Sequence, residues 1–571
     1  MWETIPWLVV LLPTIRGNVF LINNGVQIST INPYAAADRP IVDGHQGEDI
    51  APEQDTSNVI LTAHGEVRGY EMKDTNIMQF LDIPYAAFDE KNPFQEPTQP
   101  HPWENVREIT EHNSRCPQLN SESSYIGTSE CLTLSVFVPK EAKNAGVLFH
   151  IHDGGFVRGS GDPRVYGPGY LVPENVVLIL PNYRLGPLGF LCLQNVTAPG
   201  NAGLKDLTMA LNWTRQNIGA FGGNPSNIAV SGTGTGAALA QYLAVAPQSR
   251  DFVDKVITES GCILSHWAID RNPLDTAHKF ASILNDSEAS NVFNTSLQRL
   301  ITAADGLVFR PCVERHGFLN ATPWTMLQDI KLNKSFMIGA TDRPGRHKAM
   351  QHTEDSVSAL NRDFRLLLPN DLSFRQREEE EKIGKKVKVQ YFGNNTISLE
   401  HRNELALCHS DCSYLSPGIR SARLLTAAES TVYLYEFSYV NKAEKSRTDN
   451  VQGADQGDSL KYVFQAEEYT PVERAVTSET EKNQMITLMT NLWASFIQKG
   501  YLKQSNFSGE AWLSIDTKTE MKWGFHLGRL SLWTDIYNEH FIEKNWASES
   551  KPGLIPAYLV FLTGLVMGLY H

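Results

Sequence analysis

Runs of consecutive apolar residues recur along the chain, separated by polar or helical stretches. The clearest are VLFHIH (147–152), VVLILPNYR (176–184), NIAVSG (227–232), DKVITES (254–260), SFMIGAT (335–341) and TVYLYEFSY (431–439). Continuous rather than alternating apolar positions are typical of strands that are buried on both faces. The pattern predicts one α/β body over residues 59–545, in which helices cover both faces of a large, mostly parallel sheet.

The N-terminal pattern differs from that of the body. Residues 1–17 (MWETIPWLVVLLPTIRG) have an apolar core of the length expected for a secretory signal peptide, although no basic residue precedes it. Residues 29–58 have few apolar positions and no periodicity, which predicts a flexible leader.

The C-terminal segment, residues 546–571, joins a short polar spacer to the apolar run LIPAYLVFLTGLVMGLY (554–570). Seventeen apolar residues are short for a bilayer span, and no basic cluster follows them. A removable glycosylphosphatidylinositol signal with attachment at Ser548 fits this pattern best. A retained tail helix in the membrane and a buried terminal helix are the alternatives.

Composition and charge narrow the class of protein. The chain of 571 residues is 42% hydrophobic and carries a formal net charge of −14, which is typical of a globular protein and disfavours nucleic acid as a partner. Seven Asn-X-Ser/Thr sites are candidates for N-glycosylation, and an eighth lies in a predicted helix at Asn212. The seven candidates are Asn195, Asn285, Asn294, Asn320, Asn333, Asn394 and Asn506.

A glycine-rich stretch, VSGTGTGAAL (230–239), lies between a predicted strand and a predicted helix. Such a turn can hold a dinucleotide phosphate or can carry a hydrolase nucleophile. The glycines are spaced Gly-x-Gly-x-Gly rather than Gly-x-Gly-x-x-Gly, which weakens the dinucleotide hypothesis, although Glu259 follows at the distance where a ribose-binding carboxylate is sought.

Nine stretches in order along the chain resemble the type-B carboxylesterase and cholinesterase family, whose members have the α/β-hydrolase fold. They are FLDIPYA (80–86), SRCPQ (114–118), SECLTLSVFVP (129–139), HDGGFVRGSG (152–161), NYRLGPLGFL (182–191), APGNAGLKDLTMALNW (198–213), IGAFGGNPSNIAV (218–230), ESG (259–261) and VYLYEFSY (432–439). The resemblance implies that residues 230–239 form the family's nucleophile elbow.

The resemblance also implies where a catalytic triad belongs, and none of its members is present. Gly234 stands in the place of the nucleophilic serine, Pro344 in the place of the acid, and Gln456 in the place of the histidine. A glycine has no oxygen to attack a carbonyl, and an amide cannot move a proton near neutral pH. Gly154 and Gly155 keep two positions of the family's oxyanion loop, but Asp153 replaces a third glycine and adds a negative charge. We interpret the two retained glycines as preserving backbone shape.

Neighbouring side chains could in principle rebuild a site, so a relocated catalytic centre is one hypothesis. Hydroxyls near the elbow belong to Ser231, Thr233, Thr235 and Ser260, carboxylates to Asp342 and Asp455, and imidazoles to His152 and His266. No histidine replaces Gln456 within its own loop, and a serine hydroxyl without a base is a weak nucleophile. We therefore expect a protein that is not an enzyme.

The cysteines are typical of an oxidising compartment, and their spacings do not resemble a zinc site. The family resemblance implies a disulfide between Cys116 and Cys131. The pairing of the other five stays open: Cys192, Cys262, Cys312, Cys408 and Cys412. No metal or cofactor is predicted.

A carboxylesterase-like body without a triad resembles the cholinesterase-like adhesion proteins, namely neuroligins, neurotactin, gliotactin and glutactin. Their esterase-like domains bind protein partners at the cell surface or in the matrix. The sequence accordingly predicts an extracellular recognition or adhesion protein. The alternatives are a carrier that binds a small apolar ester or lipid in the disarmed gorge, and a cryptic hydrolase with a relocated site.

Overall fold

The computed structural model describes residues 58–284, 295–314, 317–328, 330–441, 451–466, 479–502 and 511–541. Several sequence predictions fall outside these residues. They are the signal peptide (1–17), nearly all of the leader (29–58), the C-terminal segment with Ser548, and the glycosylation candidates Asn285, Asn294 and Asn506. Regular structure in the described part begins with a strand at Val59.

A large mixed sheet organises the molecule. Its strands stand in the order β16-β15-β14-β13-β12-β11-β9-β10-β8-β4-β3. Their bounds are β3 Tyr70–Glu71, β4 Ile77–Pro84, β8 Thr133–Pro139, β9 Ala145–Ile151, β10 Val176–Pro181, β11 Gly223–Thr233, β12 Lys255–Glu259, β13 Ser335–Thr341, β14 Thr431–Phe437, β15 Ala511–Ile515 and β16 Thr519–Trp523. Smaller sheets contain β1 Val59–Thr62, β2 Gly65–Arg68 and β5 Arg107–Glu108, and β6 Gln118–Leu119 with β7 Tyr125–Ile126.

The predicted α/β fold, with its mostly parallel sheet, is confirmed. Pairing is parallel from β10 through β9, β11, β12, β13 and β14 to β15, and antiparallel toward both edges. Side chains on each central strand alternate between two cores: Val147 and Phe149 enter one, and Leu148 enters the other. Both faces of these strands are therefore apolar, which explains the consecutive apolar runs in the sequence.

Helices cover both faces of the sheet. They are α1 Gly186–Phe190, α2 Ala202–Asn217, α3 Thr235–Val245, α4 Pro273–Ile283, α5 Leu297–Ala303, α6 Pro323–Gln328, α7 Arg346–Met350, α8 Glu354–Arg362, α9 Arg377–Phe392, α10 Arg402–Ser410, α11 Ser416–Ala427, α12 Glu479–Lys499 and α13 Leu527–His540. A π-helical turn, Asp411–Leu415, joins α10 to α11. Leu207 of α2 and Leu239 of α3 pack in the first core, whereas Trp493 of α12 packs in the second.

Strand ends differ slightly from the sequence prediction, for local reasons. β10 stops at Pro181, before the predicted end at 184, and Arg184 turns into a fully buried ion pair with Asp206. β12 stops at Glu259, one residue early, because Ser260 adopts a φ of 50° that a strand cannot continue.

Two disulfides link four of the seven cysteines, all of which are described. One joins Cys116 to Cys131, as the family resemblance implies. The other joins Cys192 to Cys312 across 120 positions, a pairing that the sequence left open. Cys262, Cys408 and Cys412 are free thiols in the buried interior.

Candidate functional site

The glycine-rich stretch forms a sharp turn from β11 into α3, with Gly234 at its apex. Gly234 has a φ of 54° and a ψ of −117°, a conformation that glycine adopts without strain. A β-carbon at Gly232 would collide with the backbone of Gly236, and one at Gly236 would collide with the backbone of Ile151. Gly232 and Gly236 are thus required by close backbone contacts, and Gly234 is favoured by its positive φ.

The space beyond the apex is filled by two side chains from distant loops. A β-carbon added to Gly234 would collide with the amide nitrogen of Gln456 and with the carboxylate of Asp153. These two side chains are themselves joined, since Gln456 Nε2 donates to Asp153 Oδ2 at 2.5 Å. The structure thus brings Gly234, Gln456 and the carboxylate of Asp153 together at one place.

Asp153 also caps helix α3. Its Oδ1 accepts hydrogen bonds from the Thr235 backbone N–H at 2.9 Å and from the Thr235 hydroxyl at 2.6 Å. A carboxylate at a helix N-terminus is stabilised by unpaired N–H groups and by the helix dipole. In a nucleophile elbow the N–H of the residue after the nucleophile serves as an oxyanion donor. Here that donor is already occupied by an anion of the chain itself.

The loop of the predicted acid, Pro344, packs against the loop of Gln456. Arg343 N donates to the Ala454 carbonyl at 3.1 Å, and Asp342 Oδ1 accepts from Ala454 N at 2.8 Å. Pro344 is buried in the turn and offers no acid, so the orienting carboxylate of a triad has no counterpart at this position.

The carboxylates of Asp342 and Asp455 accept hydrogen bonds from backbone N–H groups and form ion pairs with arginine side chains. Asp342 lies 3.2 Å from Arg343, and burial raises the pKa of its carboxyl to about 6. Asp455 accepts from the Gln456 backbone N–H at 2.8 Å and lies 3.7 Å from Arg346. Both therefore serve loop-to-loop contacts.

Gly154 and Gly155 have φ values of 139° and 68°, which favour glycine. A β-carbon at Gly154 would collide with the Arg158 carbonyl. These contacts account for the two retained glycines by backbone shape alone.

The hydroxyls of Ser231 and Ser260, near the elbow, are buried in the interior. Ser231 Oγ lies 2.8 Å from His150 Nδ1, but both residues are buried, and burial lowers the pKa of His150 to about 3. Ser260 Oγ accepts from Thr341 N at 3.2 Å. Both hydroxyls are thus buried and hydrogen-bonded within the interior.

A hydrogen-bonded chain that sequence inspection missed lies beside the elbow. His266 Nδ1 is 3.2 Å from Asn370 Oδ1, and His266 Nε2 is 3.1 Å from Ser413 Oγ. The order serine, histidine, amide matches a nucleophile, base and orienter. Burial, followed by the charge of Lys348, lowers the pKa of His266 to about 3, so the imidazole is a weak base. The three residues are separated by 104 and 147 positions, and no local pattern joins them.

Glu259, the residue expected to bind a ribose in the dinucleotide hypothesis, is fully buried. Its carboxyl accepts from the Tyr435 hydroxyl at 3.1 Å and from the Ser459 hydroxyl, and burial raises its pKa to about 7. The side chain does not reach the glycine turn's outer surface, so it supplies no nucleotide contact.

The described glycosylation candidates differ in exposure. The glycosylation candidates Asn195, Asn320, Asn333 and Asn394 are exposed, whereas Asn212 is only partly exposed on α2. Across the described ranges, no group of three or more His, Cys, Asp or Glu side chains is placed to hold a metal ion. The same part of the chain contains no helix of the length and apolarity that a membrane crossing requires.

The fold and the site define a class of protein: an α/β-hydrolase body with a glycine at the apex of its elbow and a carboxylate seated above it. The chain belongs to the carboxylesterase family, which it matches over residues 56–529. Esterase FE4 of Myzus persicae is 30% identical over 492 residues, covering 79% of this chain and 86% of that protein.

A cholinesterase and a neuroligin are also among the proteins that this chain resembles. Mouse cholinesterase is 27% identical and covers 81% of this chain and 82% of its own length. Mouse neuroligin-2 is 25% identical and covers 84% of this chain and 67% of its own length. Juvenile hormone esterase from Manduca sexta has a similar structure, with a TM-score of 0.74 at 24% identity, covering 84% of this chain and 99% of that one. This last likeness supports the fold alone.

Proposed function

We propose that this protein is a non-catalytic member of the carboxylesterase family that recognises or adheres to a protein partner outside the cell. The observation that carries the proposal is the occupied elbow. Gly234 supplies no nucleophile, Gln456 supplies no base, and Asp153 holds the Thr235 N–H that would otherwise stabilise an oxyanion. The relation to neuroligin-2 supports a role in recognition, although it comes with no shared binding motif.

Loss of catalysis is tested with the purified full-length protein and a fluorophosphonate probe, together with short-chain p-nitrophenyl esters. We expect no labelling and no turnover above that of heat-denatured protein. An active esterase of the family serves as the positive control for the probe. Stoichiometric labelling that disappears when one serine or threonine is replaced would contradict the proposal.

The extracellular location is tested in cells that express the full chain. We propose entry into the secretory pathway through residues 1–17 and a lipid anchor at Ser548. Phosphatidylinositol-specific phospholipase C should then release the protein from the cell surface, and Ser548→Phe should abolish release. Retention after phospholipase treatment would favour a retained tail helix instead.

Recognition itself is tested by aggregation of cells that display the protein. We expect cells expressing it to bind a partner-bearing cell type, and phospholipase treatment to abolish that binding. A Gly234→Ser variant displayed at the same surface density should bind as the parent does, since the elbow is internal and the partner contacts the surface. Absence of binding to every cell type and matrix tested would count against an adhesive role.

A cryptic hydrolase is the second candidate function. It is favoured by the esterase relatives and by the hydrogen-bonded chain of Asn370, His266 and Ser413. Against it, Ser413 is buried, and His266 has a pKa of about 3. Ser413→Ala separates the two candidates, because any ester turnover that depends on this chain would be lost in that variant and unchanged in Ser231→Ala.

A further inference from the structure

Two half-buried cations lie near a group of aromatic side chains beside the elbow: Lys348 contacts one of the rings, and Arg310 lies within electrostatic range of Lys348. We name this group the basic depression and define it by His266, Trp267, Arg310, Lys348 and Tyr414. Tyr414 is buried, whereas the other four side chains are half-buried. The ring centroids of Trp267 and Tyr414 lie 5.8 Å apart, and Lys348 Nζ lies 5.4 Å from the Tyr414 ring.

The basic depression adjoins the apex of the elbow. A β-carbon at Gly261 would collide with the Gly234 carbonyl and would contact the ring of Trp267 at 3.1 Å. The ring is fixed in place by a hydrogen bond of 3.0 Å from Trp267 Nε1 to the Ser413 carbonyl. The depression therefore lies next to the disarmed site and does not depend on the missing triad.

Neither of its cations is ion-paired with a carboxylate in the part of the chain that the structure describes. Among the residues that the structure describes, Lys348 and Arg310 form no ion pair with an aspartate or glutamate, and Lys348 Nζ donates only to Ser413 Oγ, at 3.3 Å. Burial lowers the pKa of both side chains, and Arg310 lowers that of Lys348 further. A partly desolvated cation without an ion-pair partner is costly, and an anionic ligand would relieve that cost.

The charges around the depression are otherwise compensated. Arg271 lies 3.6 Å from Asp371 on one side. On the other side of Tyr414, Asp153 is held by Thr235 and Gln456, and Asp455 faces Arg346 and His347. Asp270 lies within electrostatic range of Arg310, and its two oxygens accept from Asn272 N and Thr276 Oγ1. The imidazoles of His266 and His409, which face Lys348, have lowered pKa values through burial and are neutral at pH 7.

We propose that the basic depression binds a small organic carboxylate with an aromatic or apolar body. The carboxylate would accept hydrogen bonds from Lys348 and Arg310, and the body would lie against the rings of Trp267 and Tyr414. The inference is independent of the proposed adhesive role. It also changes the ligand expected of a carrier, because a neutral ester would leave both cations unpaired.

The test uses three probes with the same ring and different charge: benzoate, benzamide and benzylammonium. Binding to the full-length protein in detergent is measured by isothermal titration calorimetry at pH 7.5 and low salt. We expect benzoate to bind at least tenfold more tightly than benzamide, and benzylammonium not to bind. Equal affinity for benzoate and benzamide, or preference for benzylammonium, would overturn the proposal.

Matched variants assign the binding to these residues. Lys348→Met and Arg310→Gln should each weaken benzoate binding about tenfold or more and leave benzamide unchanged. Lys385→Met, at an exposed lysine of α9, makes the same change in net charge and should leave benzoate binding unchanged. If one variant fails to fold, as judged by its melting temperature, the other still decides the outcome. Benzoate binding that survives both substitutions would refute the assignment.

Discussion

Gly234→Ser is the substitution that restores the nucleophile's side chain, and we expect it to destabilise the protein without producing an esterase. The new β-carbon would collide with Asp153 and Gln456, which occupy the space beyond the apex. Even after those side chains move, the serine has Gln456 in place of a base and Pro344 in place of an acid. A nucleophile without a base contributes little to acyl transfer.

The cost of this substitution has two parts. A non-glycine residue at a φ of 54° and a ψ of −117° is strained by about 1 to 3 kcal/mol. Displacing Asp153 from the N-terminus of α3 removes a cap that contributes about 1 kcal/mol. We therefore expect the free energy of unfolding to fall by about 2 to 4 kcal/mol.

Two glycine controls separate these parts. Gly457→Ser has positive φ, at 83°, but its β-carbon meets no atom within 4 Å, so it should show strain alone. Gly219→Ser also has open space and has no positive φ, so it should be nearly neutral. Urea unfolding, followed by tryptophan fluorescence, measures each variant, and p-nitrophenyl ester hydrolysis measures activity.

A second background isolates the collision. In the Asp153→Gly background the serine meets one obstacle fewer, so Gly234→Ser should cost less there than in the parent chain. The interpretation of the site would be wrong if Gly234→Ser were no more destabilising than Gly219→Ser. It would also be wrong if the single substitution gave ester turnover, since a base or an acid would then lie elsewhere.

Three further predictions concern the cap, the buried carboxyl and the long disulfide. Asp153→Ala should lower the free energy of unfolding by about 1 kcal/mol, and Asp153→Asn should lower it by less, because asparagine keeps an acceptor for the helix. Equal losses for the two variants in urea unfolding would contradict the capping role. The raised pKa of Glu259, about 7 in the fold, means that stability is lost as pH rises from about 4.5 through 7. Glu259→Gln should therefore gain stability over the parent across that range, by up to about 3 kcal/mol, and parallel stability curves would refute this. Replacing Cys192 and Cys312 with alanine should cost up to about 5 kcal/mol in the chain-entropy model, and a loss below about 1 kcal/mol would show that the unfolded chain is little constrained by this link.

Much of the fold could be predicted from the sequence because its signals are local. The consecutive apolar runs identified the buried parallel strands, and β13 matched its predicted bounds, 335–341. The antiparallel edges were not predicted. β16 shows why: its residues are mostly exposed, so it lacks the apolar run that marks a central strand.

For the candidate site, the sequence predicted residues that the structure places close together, but it did not predict the contacts that they make. Flanking motifs located Gly234 and Gln456, and the structure brings them together. The contacts of the Asp153 side chain could not be predicted from the sequence, because its partners Thr235 and Gln456 lie 82 and 303 positions away. The disulfide between Cys192 and Cys312 was unpredictable for the same reason, since no local spacing distinguishes it from other pairings.

The three free thiols, Cys262, Cys408 and Cys412, make the chain's folding sensitive to the order of events. All three are buried, and burial raises the pKa of each thiol, so the native protein presents little thiolate to an oxidant. In the unfolded chain the same three sulfurs are exposed, and thiol–disulfide exchange can join any of them to Cys192 or Cys312. Once the interior has closed around the three thiols, their exchange with the bridge between Cys192 and Cys312 requires the chain to open again.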